Sequence, residues 1–193
     1  LRAAVDREEL ERLRGQLKGG LILPGDASYE QARRVFYWNA ETERRPAAIV
    51  RCGHEEDAVR AVEFARRQGL EVAVRAGGHS HLGWGCSNGV VIDLAGMRGI
   101  TVDQERRIAR VEAGALSGEV ARVAGEHGLA PVLGQCPGVG ATGVTLGGGL
   151  GWLSGLHGAS CDNLVSARVA TADGRVLAAE AERNEDLFWG LRG

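Results

Sequence analysis

Gly134-Gln135-Cys136-Pro137-Gly138-Val139-Gly140-Ala141-Thr142-Gly143 runs on into Gly147-Gly148-Gly149, and ten glycines fall between Gly134 and Gly158. Glycine weakens the interior of helix and strand alike, so this segment is expected to form neither in ordinary length. Gly138 to Gly143 matches G-x-G-x-x-G letter for letter. The dinucleotide reading of that pattern requires a helix directly behind it, with its N-terminus facing a pyrophosphate. Gly147, Gly148, Gly149 and Gly151 would sit inside that helix, at about 1 kcal/mol each relative to alanine. A Rossmann domain is therefore not expected. No Gly-Lys-Ser/Thr follows a glycine cluster, which removes the P-loop as well.

A second cluster, Arg75-Ala76-Gly77-Gly78-His79-Ser80-His81, lies upstream. Successive exposed backbone N–H groups form anion-binding concavities. Two clusters this dense point to a cradle for a phosphorylated cofactor rather than to plain tight turns. His79, His81 and Cys86, with Cys52 and His54, match no structural zinc spacing, and no metal site is expected.

Around the clusters the chain alternates strand and helix patterns. Ala47–Arg51 and Glu71–Arg75 have strand character and flank a helical stretch, Glu55–Gln68, with Val59, Val62 and Ala65 inward and Gly69 as its stop. Such a strand–helix–strand unit has the length a crossover needs. Val90–Leu94 and Arg107–Val111 are further strands, and Ser117–His127 a helix ended by Gly128. Ala167–Thr171 and Arg175–Ala179 flank Ala172-Asp173-Gly174, a hairpin signal. At the N-terminus, Asp6 and Glu9 fit a capping box before Leu10, Leu13 and Leu17. Residues 21–45 form a loop-rich lead whose aromatic residues Tyr29, Phe36, Tyr37 and Trp38 are expected to serve packing.

Composition narrows the class. The 193 residues are 44% hydrophobic and 25% charged, as in globular chains, and no apolar run is long enough to span a membrane. The net charge of −2 leaves no electrostatic footprint for nucleic acid or an anionic membrane. Of the basic residues, Lys18 is the single lysine. The four cysteines are too scattered for a disulfide framework and are expected to be reduced thiols, Cys136 set apart. Reduced thiols favour the cytoplasm slightly, with secretion the alternative. The chain does not start with Met, and its first residues carry no signal-peptide apolar region; it is expected to be a trimmed chain.

From Pro46 to Gly193 these features, in order, resemble the flavin-binding domain of the vanillyl-alcohol oxidase superfamily, most closely the berberine-bridge-enzyme-like oxidases. Arg75–Ser80 resembles that family's loop carrying a histidine bonded to the flavin 8α-methyl. Gly134–Gly140 resembles its second attachment loop, whose cysteine bonds flavin C6. Gly147–Gly151, Gly158 with Asp162-Asn163-Leu164, and Asp186–Gly193 continue the pattern. Ser154–Ala159 departs from it, since relatives often carry a basic residue near Gly155 and a bulkier apolar one near Ala159.

The resemblance implies an α+β, PCMH-type FAD-binding domain. A helical lead (1–42) would precede two α+β subdomains, about 43–97 and 98–193, with the cofactor in a cleft lined by both glycine loops. The family's substrate domain, its catalytic base and a returning C-terminal piece of the flavin domain have no counterpart here, and are expected in a longer chain or on another chain. The implied cofactor is FAD, attached covalently through His79 and Cys136. Imidazole and thiolate are the side chains nucleophilic enough to attack a flavin methyl or ring carbon, and the thiol must ionise first. Ala76, Gly77, Gly78, Ser80 and His81 would line the site from the first loop, with the N–H groups of Gly77–Ser80 on the pyrophosphate. Gln135, Val139, Gly140, Gly143, Gly147, Gly148 and Gly158 would line it from the second, and Arg75 would complete the set. Val139 occupies the position that in relatives gates oxygen, and valine there goes with oxidases. The implied reaction oxidises a C–H/C–OH group of a bulky small-molecule substrate and reduces O2 to H2O2. The alternatives are an FAD-binding module without turnover and a regulator that uses the loops for phosphate alone.

Overall fold

The computed structural model describes residues 5–193. The chain divides into two compact units. One runs up to Gly96 and takes in residues 170–176; the other comprises Met97–Val169 and Leu177–Gly193.

The first unit is built on a four-stranded sheet. Helix α1 (Arg7–Gln16) is capped by Asp6, whose Oδ1 accepts the Glu8 N–H at 2.9 Å. Only this half of the expected capping box forms, because Glu9 is engaged by Arg12 and, at 3.7 Å, by Arg67. Leu10 and Leu13 are buried, while Leu17 already lies in extended backbone past the helix end. The stretch expected as loop contains strand β1 (Gly20–Ile22) and a short helix α2 (Tyr29–Ala32). Strand β2 (Ala48–Arg51), helix α3 (Glu55–Arg67) and strand β3 (Val72–Arg75) form the expected strand–helix–strand unit. Strand β4 (Val90–Asp93) then inserts between β2 and β3, giving the order β1-β2-β4-β3. The last three are mutually parallel and β1 is antiparallel to β2.

The register sets Ile22, Ile49, Val91 and Ala73 in one row across the sheet. That row is buried with Tyr29, Ala32, Val35 and Cys86. Each fully buried Val or Ile in such a row contributes about 1.5–3 kcal/mol. On the opposite face α3 packs on β2 and β4 and buries Ala61, Phe64 and Ala65. Val72 and Val74 of edge strand β3 remain exposed.

The second unit begins with the antiparallel pair β5 (Ile100–Asp103) and β6 (Ile108–Val111), of which only β6 was evident from the sequence pattern. Helix α4 (Ser117–Gly125) packs on β5. It stops short of the expected His127, and Gly128, at φ +69°, turns the chain while the Leu129 N–H returns to Ala124 O at 3.0 Å. Ala115, Val120 and Ala141 form the core here with Ile100, Val111 and Leu133.

The glycine-rich segment forms no helix of ordinary length, as expected, but it does contain two short ones. Helix α5 (Ala141–Leu146) starts directly behind Gly140 and stops at Gly147, and α6 (Ser154–His157) is a single turn. The glycines limit α5 to six residues, and Gly140 bridges antiparallel to Leu116 instead of ending a parallel strand. Strands β7 (Ser166–Ala170) and β8 (Val176–Glu180) pair around the expected Asp173-Gly174 turn, closed by Thr171 N–H to Arg175 O at 2.9 Å. Helix α7 (Glu185–Arg192) ends the chain. No helix among the described residues is long and apolar enough to cross a membrane.

Candidate functional site

The first glycine loop is hung from the ends of β3 and β4. These strands finish in register at Arg75 and Asp93, and their side chains form a buried ion pair, Arg75 Nη2 to Asp93 Oδ2 at 2.9 Å. Arg51 Nε stands 3.8 Å from the same carboxylate, and Arg75 Nη1 donates to Arg34 O at 3.4 Å. The guanidinium is thus committed inside the unit. What Arg75 offers the loop is its aliphatic stem. A Cβ on Gly78, which has φ +68°, would meet Arg75 Cδ at 3.4 Å, so the loop backbone lies directly on that stem.

Two of the loop's carbonyls are engaged, while its donors are open. Gly78 O accepts the Phe36 N–H at 3.0 Å and Ser80 O the Gly83 N–H at 3.1 Å, while Ser80 Oγ accepts the Trp84 N–H at 3.3 Å. The N–H groups of Gly77, Gly78, His79, Ser80 and His81 donate to no acceptor among the described residues. Buried or half-buried backbone donors are nearly always paired, and consecutive open ones suit a ligand with anionic oxygens. Ala76 and His79 are half-buried and His81 is exposed.

Two aromatic residues expected to serve packing belong to this loop instead. Phe36 stacks on the His79 imidazole at 4.1 Å between centroids and 15° between planes, and Tyr37 stacks on His81 at 4.0 Å and 24°. Arg34 covers the Trp38 ring at 4.6 Å. Of the four aromatic residues in that stretch only Tyr29 is buried, with its hydroxyl donating to Pro46 O at 2.7 Å.

The second glycine loop is laid along the start of α4. Pro137 O accepts the Gly118 N–H and Val139 O the Ser117 N–H, both at 2.9 Å, and Ala141 N–H donates to Ala115 O at 2.9 Å. Here too the carbonyls are engaged, while the N–H groups of Gln135, Cys136, Gly138 and Gly140 have no acceptor among the described residues. Gln135 and Cys136 are exposed and Val139 is half-buried.

The other three cysteines are buried. Burial, with Asp57 and Asp93 nearby, pushes the Cys52 thiol up to about 12. Burial also raises Cys86, against the opposing pull of Arg75 and Arg33. Cys136 is therefore the one exposed thiol among the described residues.

The remaining predicted positions build the turn that follows α5. Gly147 caps the helix, and Gly148 O accepts the Cys161 N–H at 3.0 Å. Gly149 has φ +77°, and a Cβ there would stand 2.3 Å from Ser160 Oγ and 3.1 Å from Val144 O, so the Ser160 side chain seats where only glycine leaves space. Gly143 lies exposed within α5. Gly158 ends α6, and the Asp162-Asn163 motif holds the turn behind it. Asp162 Oδ2 accepts the Ala159 N–H at 2.8 Å, and Asn163 Nδ2 donates to His157 O and Ala159 O at 2.9 and 2.8 Å. These side chains are used for turn geometry. A separate hollow of about 350 Å³ is lined by Glu55, Glu56, Val59, Arg60, Glu63, Gly174 and Val176, and includes none of the predicted site residues.

A sequence profile described as "FAD binding domain" matches residues 46–180. An FAD-linked oxidoreductase of Aspergillus terreus is 39% identical over 99% of this chain, and the chain covers 39% of that protein. Among solved structures, 6-hydroxy-D-nicotine oxidase from Arthrobacter nicotinovorans superposes with a TM-score of 0.88 at 32% identity, covering 100% of this chain and 40% of its own. Glucooligosaccharide oxidase from Acremonium strictum, which carries a 6-S-cysteinyl, 8α-N1-histidyl FAD, superposes with a TM-score of 0.86 at 28% identity, over 96% of this chain and 39% of its own. The chain thus spans about two fifths of the length of these proteins.

Proposed function

The chain belongs to the family of FAD binding domains, and from that premise we propose that it is the flavin-holding part of an FAD-linked oxidase whose cofactor is attached at both His79 and Cys136. The observation that carries the reading is the pairing, in each loop, of open backbone donors with one nucleophile. The open N–H groups of Gly77–His81 flank the half-buried His79 along the chain, and those of Gln135, Cys136, Gly138 and Gly140 accompany the exposed thiol of Cys136. The donors suit the oxygens of a dinucleotide pyrophosphate and an electron-rich ring edge. The nucleophiles suit the 8α-methyl and C6 of the isoalloxazine.

Residues divide by task. Gly77, Gly78, His79 and Ser80 hold the pyrophosphate through their N–H groups. Arg75, whose guanidinium is locked to Asp93, supports that loop through its aliphatic stem. Gly140, Gly143, Gly147, Gly148 and Gly158 shape the second wall, and Val139, three residues after the attachment cysteine, leaves room for oxygen beside the ring. His79 and Cys136 would hold FAD through bonds to its 8α-methyl and C6, with dioxygen as the two-electron oxidant that would take up the two hydrogens each bond releases. When bound, FAD supplies hydride acceptance from a C–H bond and return of the electrons to O2 as H2O2. Attachment at two points frees the site from enclosing its cofactor, which suits bulky substrates such as sugars, glycosylated natural products or phenolic alkaloids.

Acid precipitation followed by an absorption spectrum tests the attachment. Yellow colour is expected to stay in the pellet for the parent protein, for His79→Ala and for Cys136→Ala, and to be released only when both are replaced. Release after one replacement overturns double attachment, and a colourless parent pellet overturns covalent attachment altogether. Stopped-flow mixing of the reduced protein with oxygen tests the oxidase assignment, which slow reoxidation would remove.

A further inference from the structure

Phe36 poses a physical problem. It is 66% exposed, so burial in a core does not account for it, yet it is held at two points. Its N–H donates to Gly78 O at 3.0 Å, and its ring lies almost parallel to the His79 imidazole at 4.1 Å. Tyr37 braces the same pair edge-on, at 4.9 Å and 80° to Phe36 and at 6.4 Å and 86° to His79, while its own face stacks on His81. Two consecutive residues of the lead segment thus clamp alternate residues of the glycine loop.

The clamp has a chemical consequence. An imidazole on a glycine-flanked loop has its backbone and two side-chain torsions to fix before one nitrogen can attack a defined carbon. A ring stacked on one face cannot turn about its Cβ–Cγ bond without breaking the stack, so the plane that carries its two nitrogens is fixed. Held orientation of this kind is a large source of rate in covalent steps. We infer that Phe36 is a positioning residue for covalent flavin attachment at His79, fixing the plane of the imidazole so that its nitrogen edge faces the 8α-methyl. The inference rests on the reading that His79 carries the flavin. It adds that a side chain outside both glycine loops sets the rate at which that bond forms.

The experiment uses the Cys136→Ala background, where His79 is the sole expected attachment point. Apo protein is produced under riboflavin limitation and mixed with FAD, and flavin fluorescence of the denatured protein is followed with time. Phe36→Ala is expected to slow covalent incorporation by about tenfold or more, leaving the affinity for non-covalent FAD within about threefold. Phe36→Trp, which keeps a stacking face, is expected to restore most of the rate. In the apo protein, NMR of the His79 ring protons is expected to show an upfield ring-current shift that Phe36→Ala removes and Phe36→Trp retains. Incorporation at the parent rate in Phe36→Ala overturns the positioning role, even if the ring-current shift disappears. An unshifted His79 in the parent overturns the stack itself. If Cys136→Ala retains no covalent flavin at all, the His79 attachment is wrong and the inference falls with it, a result distinct from the other two.

Discussion

The two glycine loops are supported by different materials. The loop after β3 hangs from strand ends that are fixed by a buried ion pair, and its outer side is clamped by aromatic rings. The loop before α5 is fixed by main-chain bonds to α4 and by backbone approaches that leave no space for a Cβ. The division extends through the molecule. Among the described residues the buried charged side chains Arg33, Asp57, Arg75 and Asp93 all belong to the first unit, whereas the buried polar side chains of the second are Ser117 and Ser160. A loop leaving two parallel strands has no main-chain partner waiting for it, so side chains must set its direction. A loop laid along a helix start finds free N–H groups ready to bind it. The first unit should therefore be sensitive to charge and the second to volume.

The largest effect is expected at Arg75. Arg75→Ala leaves the Asp93 carboxylate buried, with Arg51 at 3.8 Å as its remaining cation, and removes the stem beneath Gly78. Uncovering one partner of a buried pair costs about 3–5 kcal/mol, measurable as a lower urea midpoint. Arg75→Met with Asp93→Leu should recover much of that loss, because no charge is then stranded. A loss below about 1 kcal/mol for the single variant, within the range of an exposed ion pair, would mean that the first loop does not depend on this pair. Next comes Gly149→Ala in the second unit, which adds a Cβ 2.3 Å from Ser160 Oγ at a backbone φ of +77°. Overpacking and strain together are expected to cost about 2–3 kcal/mol. Adding Ser160→Gly should return the steric share and leave the conformational share.

How far these supports were legible in the sequence follows the same division. Local periodicity was enough to find α3 and its flanking strands, the β7–β8 hairpin and both loops. It missed β1, which is only three residues long, and β5, although Ile100-Thr101-Val102-Asp103 alternates apolar and polar as a half-buried strand does. It could not place β4 between β2 and β3, because that order is decided by pairing between distant segments. The glycine count correctly excluded a long helix behind Gly140 but gave no sign of the short one, which six residues suffice to form before Gly147 ends it. At the site, His79 and Cys136 stood out by chemistry and context. Phe36 and Tyr37 did not, since nothing local in the lead segment signals a stack on residues so far along the chain. Their nearest hint was an aromatic pair in a loop without the apolar periodicity that burial would require.

Asp57 tests the charge dependence of the first unit at a second point, away from the Arg75–Asp93 pair. Its buried carboxylate accepts the N–H groups of Lys18, Gly19 and Gly53 at 2.9 to 3.0 Å, tying the start of β1 and the turn after β2 to the first turn of α3. Burial alone would raise this group, but the backbone amides of Lys18, Gly53, Gly19 and His54 together outweigh it and hold the carboxyl below its ordinary value. A group depressed in the folded state stabilises above its unfolded value, near pH 4, and loses that contribution as the pH falls through the lower folded value. The parent should therefore lose stability on acidification below about pH 4. Asp57→Asn should flatten part of that acid limb while costing about 1–2 kcal/mol at neutral pH. An unchanged acid limb in the variant would show that the carboxylate's charge is not what holds these segments.

The smallest expected effect separates the two kinds of glycine within the second loop. Gly143 is the last glycine of the G-x-G-x-x-G match, the position that in a dinucleotide-binding turn permits close packing of helix on strand. Here it lies exposed inside α5, with nothing within 4 Å of where a Cβ would be. Removing backbone freedom at such a helical site is favourable, so Gly143→Ala is expected to stabilise the apo protein by about 0.5–1 kcal/mol in thermal unfolding. Gly149, a few residues on, has the opposite expected sign. If Gly143→Ala destabilises instead, the segment packs as the dinucleotide fingerprint would have it pack. The contrast between a charge-fixed first loop and a volume-fixed second loop would then need to be redrawn around a tighter helix than α5.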